Sequence, residues 1–437
     1  MQQTNRAYRM QSHPQKKRNN VVRLRDAKHA RSGAAPSKKS ANARTVRRKK
    51  QQGGMAQLWE LYTGGFYTKS LDKTLLLLII ILVVFGLVMV FSASAPSASA
   101  YQSSPYYFII RQAAFAVVGL GAMLLISYCD YHHLGKLAFP ILVAAFLLLI
   151  AVYIPGLGYV RNNARRWINL GFTTLQPSEV VKIALVIFFA FSLSKVKDQL
   201  KDFWHGLMRY VVILGIFAGL VAIEPHLSAT LIIGMTCVVL LFVAGAKITH
   251  FLIMGVPVVG IGLAYIASHP YQMERVTTFL NPFAYKNDEG FQVVNSLYAI
   301  GSGGIFGLGL GQSRQKYLYL PEPHNDFIFA IVCEELGLIG ALLVLLLFGC
   351  LIWKGYRTAI EAPDRFGCLL ATGITSLIAI QVLMNVAVVT SSIPATGVAL
   401  PFFSYGGTSL LILLGAMGIL LSISRQTVAK ASDGIKL

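Results

Sequence analysis

Charge is the scarcest ingredient of this sequence. Of its 437 residues only 13% are charged, about half the share of an average soluble domain, while 55% are apolar and the mean hydropathy is +0.60. That balance excludes a soluble globular enzyme and implies an integral membrane protein. Acidic residues are scarcer still, 18 against 39 Lys and Arg, and the imbalance is local. Residues 1–50 hold 16 Lys and Arg and one acid, Asp26, so they supply +15 of the formal +21. With almost no large apolar residue in 1–50 to form a core, the stretch 1–70 reads as a disordered basic arm on the anionic cytoplasmic face. A folded nucleic-acid-binding domain is not implied, and no nucleic-acid partner is expected. Cysteines number five, in or beside apolar runs and without CxxC spacing, which argues against a zinc site or a disulfide framework. The first 70 residues lack the apolar run of a secretory signal peptide. No fixed-period repeat is visible, so a repeat-built transporter is not supported.

What is abundant is apolar sequence in lengths suited to a bilayer. Ten stretches of about 20 residues, the length a helical crossing needs, run near 74–93, 112–128, 137–154, 177–194, 208–224, 227–246, 251–268, 327–353, 367–390 and 406–424. The expected fold class is all-α: a polytopic membrane domain over 71–425 with about ten transmembrane helices and a short C-terminal tail at 426–437. The least secure boundary is between the fifth and sixth spans, where only Glu224-Pro225-His226 intervenes. An even count puts both termini on one face, and the basic arm with Lys195, Lys197, Lys247 and Lys354 makes that face cytoplasmic. Arg161, Arg165, Arg166, Arg275, Arg314 and Lys316 fall on the other face, against the usual charge bias, and are read as serving an outward site. Between spans 7 and 8 the extracytoplasmic loop 269–326 is far longer than a simple connection. Its many aromatics, Phe279, Phe283, Phe291, Tyr298 and Tyr317 among them, favour a folded cap of short amphipathic helices.

Three groups of residues carry candidate chemistry. Asp326 stands where the eighth span begins, beside Glu322 and His324. From the residues alone it is either an N-cap or a carboxylate at the membrane rim ready to accept a proton or bind a metal. Deeper in the same span lie Glu334 and Glu335, marks of a pathway or an internal ion pair, with Lys182 as the expected partner. Adjacent residues point about 100° apart, so both should not face one cavity. The third group is Arg166-Trp167 with Gln176, Ser178, Glu179 and Lys182. It is either an interfacial aromatic belt with a capped helix and an i,i+3 ion pair, or a set of cations for a diphosphate. The glycines of 301–311 make tight turns or phosphate nests.

These motifs resemble the SEDS family of FtsW, RodA and SpoVE. The resemblance rests on Ser92-Ala93-Ser94, Arg166-Trp167-Ile168, Gln176-Pro177-Ser178-Glu179 with Lys182, and Arg275-Val276 with Leu280-Asn281-Pro282. It continues through Ala299 to Gly304, Leu320-Pro321-Glu322, Asp326 to Phe329, Glu334 to Gly337 and Pro394 to Gly407, in order over about 70–425. It implies a peptidoglycan glycosyltransferase that polymerises lipid II, an undecaprenyl diphosphate-linked disaccharide peptide, outside the cytoplasmic membrane. Asp326 takes the position of the family's essential aspartate, with Arg166, Lys182, Arg275, His324, Glu322, Gln176, Ser178 and Glu179 as substrate-binding candidates. Trp167, Glu334 and Glu335 are expected in structural or pathway roles. A divalent cation, Mg²⁺ or Mn²⁺, is expected to help, with Asp326 as a possible ligand; no organic cofactor is expected. Implied partners are a class B penicillin-binding protein transpeptidase and divisome proteins, on an FtsW-like, septal reading. The competing functions are a lipid II flippase and a non-catalytic scaffold. One departure stands out: in Glu224-Pro225-His226-Leu227-Ser228 the family usually carries an acid after the proline and a glycine two further on, and His226 receives no role.

Overall fold

The computed structural model describes residues 71–434 apart from 103, 162–163, 172, 197–198, 225, 287 and 289. The basic arm at 1–70 lies outside the described residues. The helices are α1 (Lys73–Tyr101), α2 (Tyr107–Tyr128), α3 (His132–Ala151), α4 (Pro177–Lys195), α5 (Met208–Ile223) and α6 (Leu227–Val243). After them come α7 (Ile248–Ser268), α8 (Pro270–Leu280), α9 (Phe291–Gly303), α10 (Ile328–Ile360), α11 (Arg365–Val389) and α12 (Gly407–Gly434). Among the described residues nine helices are long and apolar enough to cross a membrane, and α6 is a shorter apolar helix. Together they account for all ten expected spans of a multi-pass membrane protein. In a bilayer the backbone has no water to bond, so the apolar runs resolve into helices that close their own hydrogen bonds.

Local chemistry fixes several ends. The Asp72 carboxylate accepts from the N–H groups of Thr74 and Leu75 to start α1, and Asp364 does the same for α11. Pro177 opens α4, where its missing N–H costs nothing. At the centre lies α11, with 83% of its apolar window buried, whereas α7 buries none of its own. The side chains of α11 therefore bind the rest of the bundle together, and α7 is peripheral.

Two segments differ from simple connections. Within 155–176 the described residues form a three-stranded antiparallel sheet: β1 (Gly158–Arg161), β2 (Ala164–Asn169) and β3 (Thr174–Leu175), in that order. Tyr159 pairs with Trp167 across β1 and β2. The long loop contains α8, a 3₁₀ turn at Pro282–Tyr285 and α9, as the expected short helices.

After α9 the chain does more than cap the bundle. At Gly337, φ 65° and ψ −166°, α10 breaks, leaving carbonyls above and N–H groups below without helical partners. The loop after α9 supplies them. Leu308 N–H donates to Glu334 O (3.0 Å) and Gly309 N–H to Glu335 O (2.9 Å), while Leu338 N–H donates to Gly304 O (2.9 Å). Only glycine fits here, because a methyl group on residue 337 would lie 2.3 Å from the Gly307 nitrogen.

Candidate active site

A cavity of about 480 Å³ opens where four elements converge. β2 contributes Arg166 and Trp167; the start of α4 contributes Gln176, Glu179 and Lys182. From the N-terminal end of α6 come His226 and Ser228, and from the approach to α10 come Glu322, Asn325 and Asp326. Arg111 on α2, Gln381 on α11 and the 397–409 segment complete the wall. The residues thus come from sequence positions as far apart as 111 and 409, joined only by the packing of the bundle.

Asp326 is held through its backbone. Asn385, wholly buried on α11, donates from Nδ2 to Asp326 O (2.7 Å) and to Val398 O (2.6 Å). Ser404 Oγ donates to Asn325 O (2.7 Å), and Tyr405 N–H to His324 O (2.8 Å). The segment carrying the carboxylate is therefore stitched to the 398–405 segment on one side and to α11 on the other. Gly397, at φ +68°, lets that segment pass close by, since a methyl group there would sit 3.0 Å from Asp326 Oδ2. The N-cap position of α10 falls on Phe327, one residue past Asp326, and its own side chain makes no cap bond.

The cations and their companions are arranged around the carboxylate. Lys182 Nζ lies 2.8 Å from Glu179, the i,i+3 pair expected from the sequence, and both line the cavity. Arg166 Nε donates to the Glu224 carbonyl (3.0 Å), tying β2 to the α5–α6 turn. Gln176 Nε2 and Ser178 Oγ lie 3.2 and 3.3 Å from His226 Nδ1. Burial, with Arg166 and Lys182 nearby, holds the His226 imidazole well below the usual histidine range, so it is neutral. Burial also pushes the neighbouring Glu224 carboxyl up, partly offset by Arg166, and neither of its oxygens has a hydrogen-bond partner.

Other candidates sit elsewhere. His324 is 4% exposed and packs on Phe108 (ring centroids 4.4 Å apart) and Tyr405 (5.7 Å), outside the cavity lining. Arg275 Nη1 donates to Ala395 O (2.7 Å) and braces the approach to Gly397 rather than lining the cavity. Glu334 and Glu335 are wholly buried, and Lys182 is not their partner. Glu335 pairs with Lys316 Nζ (2.8 Å) and accepts from Ser92 Oγ (2.7 Å); Glu334 accepts from Arg314 N–H (2.9 Å) and from the Ser313 hydroxyl. The long loop reaches these carboxylates because it descends to the break at Gly337. Neither lines the cavity, and both are held by the same loop.

Sequence reasoning passed over Arg111 and Ser228. Arg111 was within reach, since a lone cation at the edge of an apolar run is a functional candidate by default. Ser228 registered only as a departure from the glycine usual in the family, with no role attached. Among the described residues no three His, Cys, Asp or Glu side chains gather as a metal site. The described residues therefore form no ready-made metal centre of their own.

Known proteins place this architecture. The cell cycle protein family of FtsW, RodA and SpoVE matches residues 72–429. Stage V sporulation protein E of Bacillus subtilis (strain 168) is 46% identical over 361 residues, covering 82% of this chain and 98% of that protein. A protein named probable peptidoglycan glycosyltransferase FtsW, from Geobacter sp. (strain M18), is 41% identical over 356 residues, 81% of this chain and 97% of its own. A solved chain from work on structural coordination of polymerization and crosslinking by a peptidoglycan synthase complex superposes with a TM-score of 0.68. It is 28% identical and covers 82% of this chain and 98% of its own. Rod shape determining protein RodA of Thermus thermophilus gives 0.60 at 26% identity, covering 82% and 97%.

Proposed function

The chain belongs to the cell cycle protein family of FtsW, RodA and SpoVE, and we propose that it is a peptidoglycan glycosyltransferase that polymerises lipid II. The single observation that carries this reading is one cavity lined by Asp326 together with Arg166 and Lys182. Glycan polymerisation needs a sugar hydroxyl to attack an anomeric carbon while a lipid diphosphate departs. Asp326 takes the hydroxyl proton as general base, the new C–O bond forms as the old one to the diphosphate breaks, and the configuration inverts. Arg166 and Lys182 offset the charge that builds on the departing diphosphate. The leaving group is already good, so no second carboxylic acid is required, unlike a glycosidase. Glu322 and Asn325, bonded to each other (2.6 Å), flank the base, and Arg275 shapes its surroundings through Ala395.

We place the cavity on the outer face of the bacterial cytoplasmic membrane and both termini inside, on the strength of the basic arm and the positive-inside rule. A divalent cation would be held by Asp326 or by the substrate phosphates and would supply positive charge to the departing diphosphate; turnover with and without chelator tests it. The partner is a class B penicillin-binding transpeptidase, because the peptidoglycan synthase complex pairs polymerization with crosslinking. Divisome proteins and a septal location follow from the division role, which the FtsW-named relatives favour. Depletion should give filaments; spheres, or failure of sporulation alone, would reassign it.

The deciding experiment is purified protein in detergent with labelled lipid II. Polymer formed where no leaflet exists supports the enzyme. Absence of polymer from folded protein, with lipid II moved across vesicles, would return the flippase reading; neither activity would leave the scaffold.

A further inference from the structure

Ser228 stands out in the cavity wall. It is 1% exposed, its hydroxyl has no hydrogen-bond partner, and it lines the cavity. A buried hydroxyl without a partner is costly, so its place in the first turn of α6 calls for an explanation. That turn belongs to a 17-residue helix whose N-cap, His226, makes no side-chain cap bond. The leading N–H groups of any helix lack intrahelical acceptors and carry partial positive charge, and Ala229 and Ile232 place this helix end on the same cavity.

The surroundings add donors and remove competing charge. Gln176 Nε2 can only donate, so His226 Nδ1 accepts and the imidazole proton sits on Nε2. Arg166 is anchored to the same turn through Glu224 O, which places its guanidinium near the helix end. The Glu224 carboxyl, shifted towards its neutral form by burial, does not cancel this field. Donors and positive charge line the same wall of the cavity, which is the chemistry of a phosphate site.

We propose that the N-terminal end of α6, with Ser228 Oγ, His226 Nε2–H and Arg166, seats a phosphate of the lipid-linked diphosphate whose sugar faces Asp326. This rests on the polymerase reading for the identity of the lipid, but its test does not depend on turnover. Full-length protein in detergent is titrated calorimetrically with undecaprenyl diphosphate and, separately, with inorganic pyrophosphate. Ser228→Ala should weaken undecaprenyl diphosphate about tenfold, the size of one hydrogen bond to a charged group, with the melting temperature unchanged. Ser228→Asp should abolish measurable binding. As a purely structural change it adds an acid to a helix's first turn, which is favourable to the fold, so loss of binding without loss of folding points to the seat. His226→Gln, whose amide nitrogen reaches the Nε2 position, should retain more affinity than His226→Asn.

Wild-type affinity in the Ser228→Ala protein would overturn the proposal, and that variant decides alone if Ser228→Asp does not fold. A response to pyrophosphate but none to the lipid would overturn the assignment to a lipid-linked ligand. The two readings fail separately. Protein that polymerises equally well with Ser228→Ala and Ser228→Asp loses the seat but keeps the enzyme. Protein that binds the lipid through Ser228 yet makes no glycan keeps the seat and loses the enzyme.

Discussion

About two helical turns separate Asp326 from Glu334 and Glu335, yet the carboxylates live in different worlds. Asp326 lies just ahead of α10, on the wall of a cavity of about 480 Å³, held by backbone bonds from Asn385 and its neighbours. Glu334 and Glu335 lie inside the helix, wholly enclosed, and every bond they make is to the protein's own Ser92, Ser313 and Lys316 or to loop N–H groups. A carboxylate whose oxygens are consumed by fixed partners holds structure together. One that lines an open cavity on a rigidly held backbone stands where a substrate can reach it. Both kinds look alike in the sequence as acids at a membrane span.

The sharpest way to break this contrast is to remove the lock. Lys316→Met should strand Glu335 without its cation and cost about 3–5 kcal/mol of stability, seen as a large drop in detergent melting temperature and in folded yield. The double change Lys316→Met with Glu335→Leu should recover much of it; normal stability in the single variant would mean that the pair is not a lock. Gly337→Ala comes next, at about 1–3 kcal/mol, because the methyl would press on Gly307 N and Ile305 O. Gly397→Ala should cost about 1–2 kcal/mol for its left-handed backbone. It should lower polymerisation far more, by displacing Asp326, and equal losses of activity and folding would contradict the positioning argument. The smallest effect is a pH slope. Burial raises the Glu224 carboxyl pKa in the folded state, so its contribution favours the fold at low pH and is lost as pH rises through the folded value. Glu224→Gln should therefore melt with a flatter dependence than wild type as pH rises from the ordinary carboxylate range to about 8.

The spans were legible because hydrophobic length is a property of the sequence alone, and all ten expected stretches are helices. The Glu179–Lys182 pair was equally legible, being local along one helix. What was not legible depended on distant packing. Lys316 reaches Glu335 only because Gly337 breaks α10 and draws the loop down, and neither event has a periodicity to betray it. The sheet at 158–175 is short and partly basic, with none of the apolar alternation that marks a strand. His324 shares its segment with Asp326, yet aromatic rings from α2 and the 405 region claim its side chain, a contact spanning more than 200 residues from Phe108.

The most direct test sets the two kinds of carboxylate side by side. Purified Asp326→Asn and Glu335→Gln proteins are compared with wild type for labelled lipid II polymerised per mole of folded protein, with melting temperature read on the same samples. Asp326→Asn should melt like wild type and form no glycan, whereas Glu335→Gln should melt lower while each folded molecule still polymerises. Glycan at the wild-type rate from folded Asp326→Asn, or loss of turnover without loss of stability in Glu335→Gln, would contradict the division of labour between rim and interior.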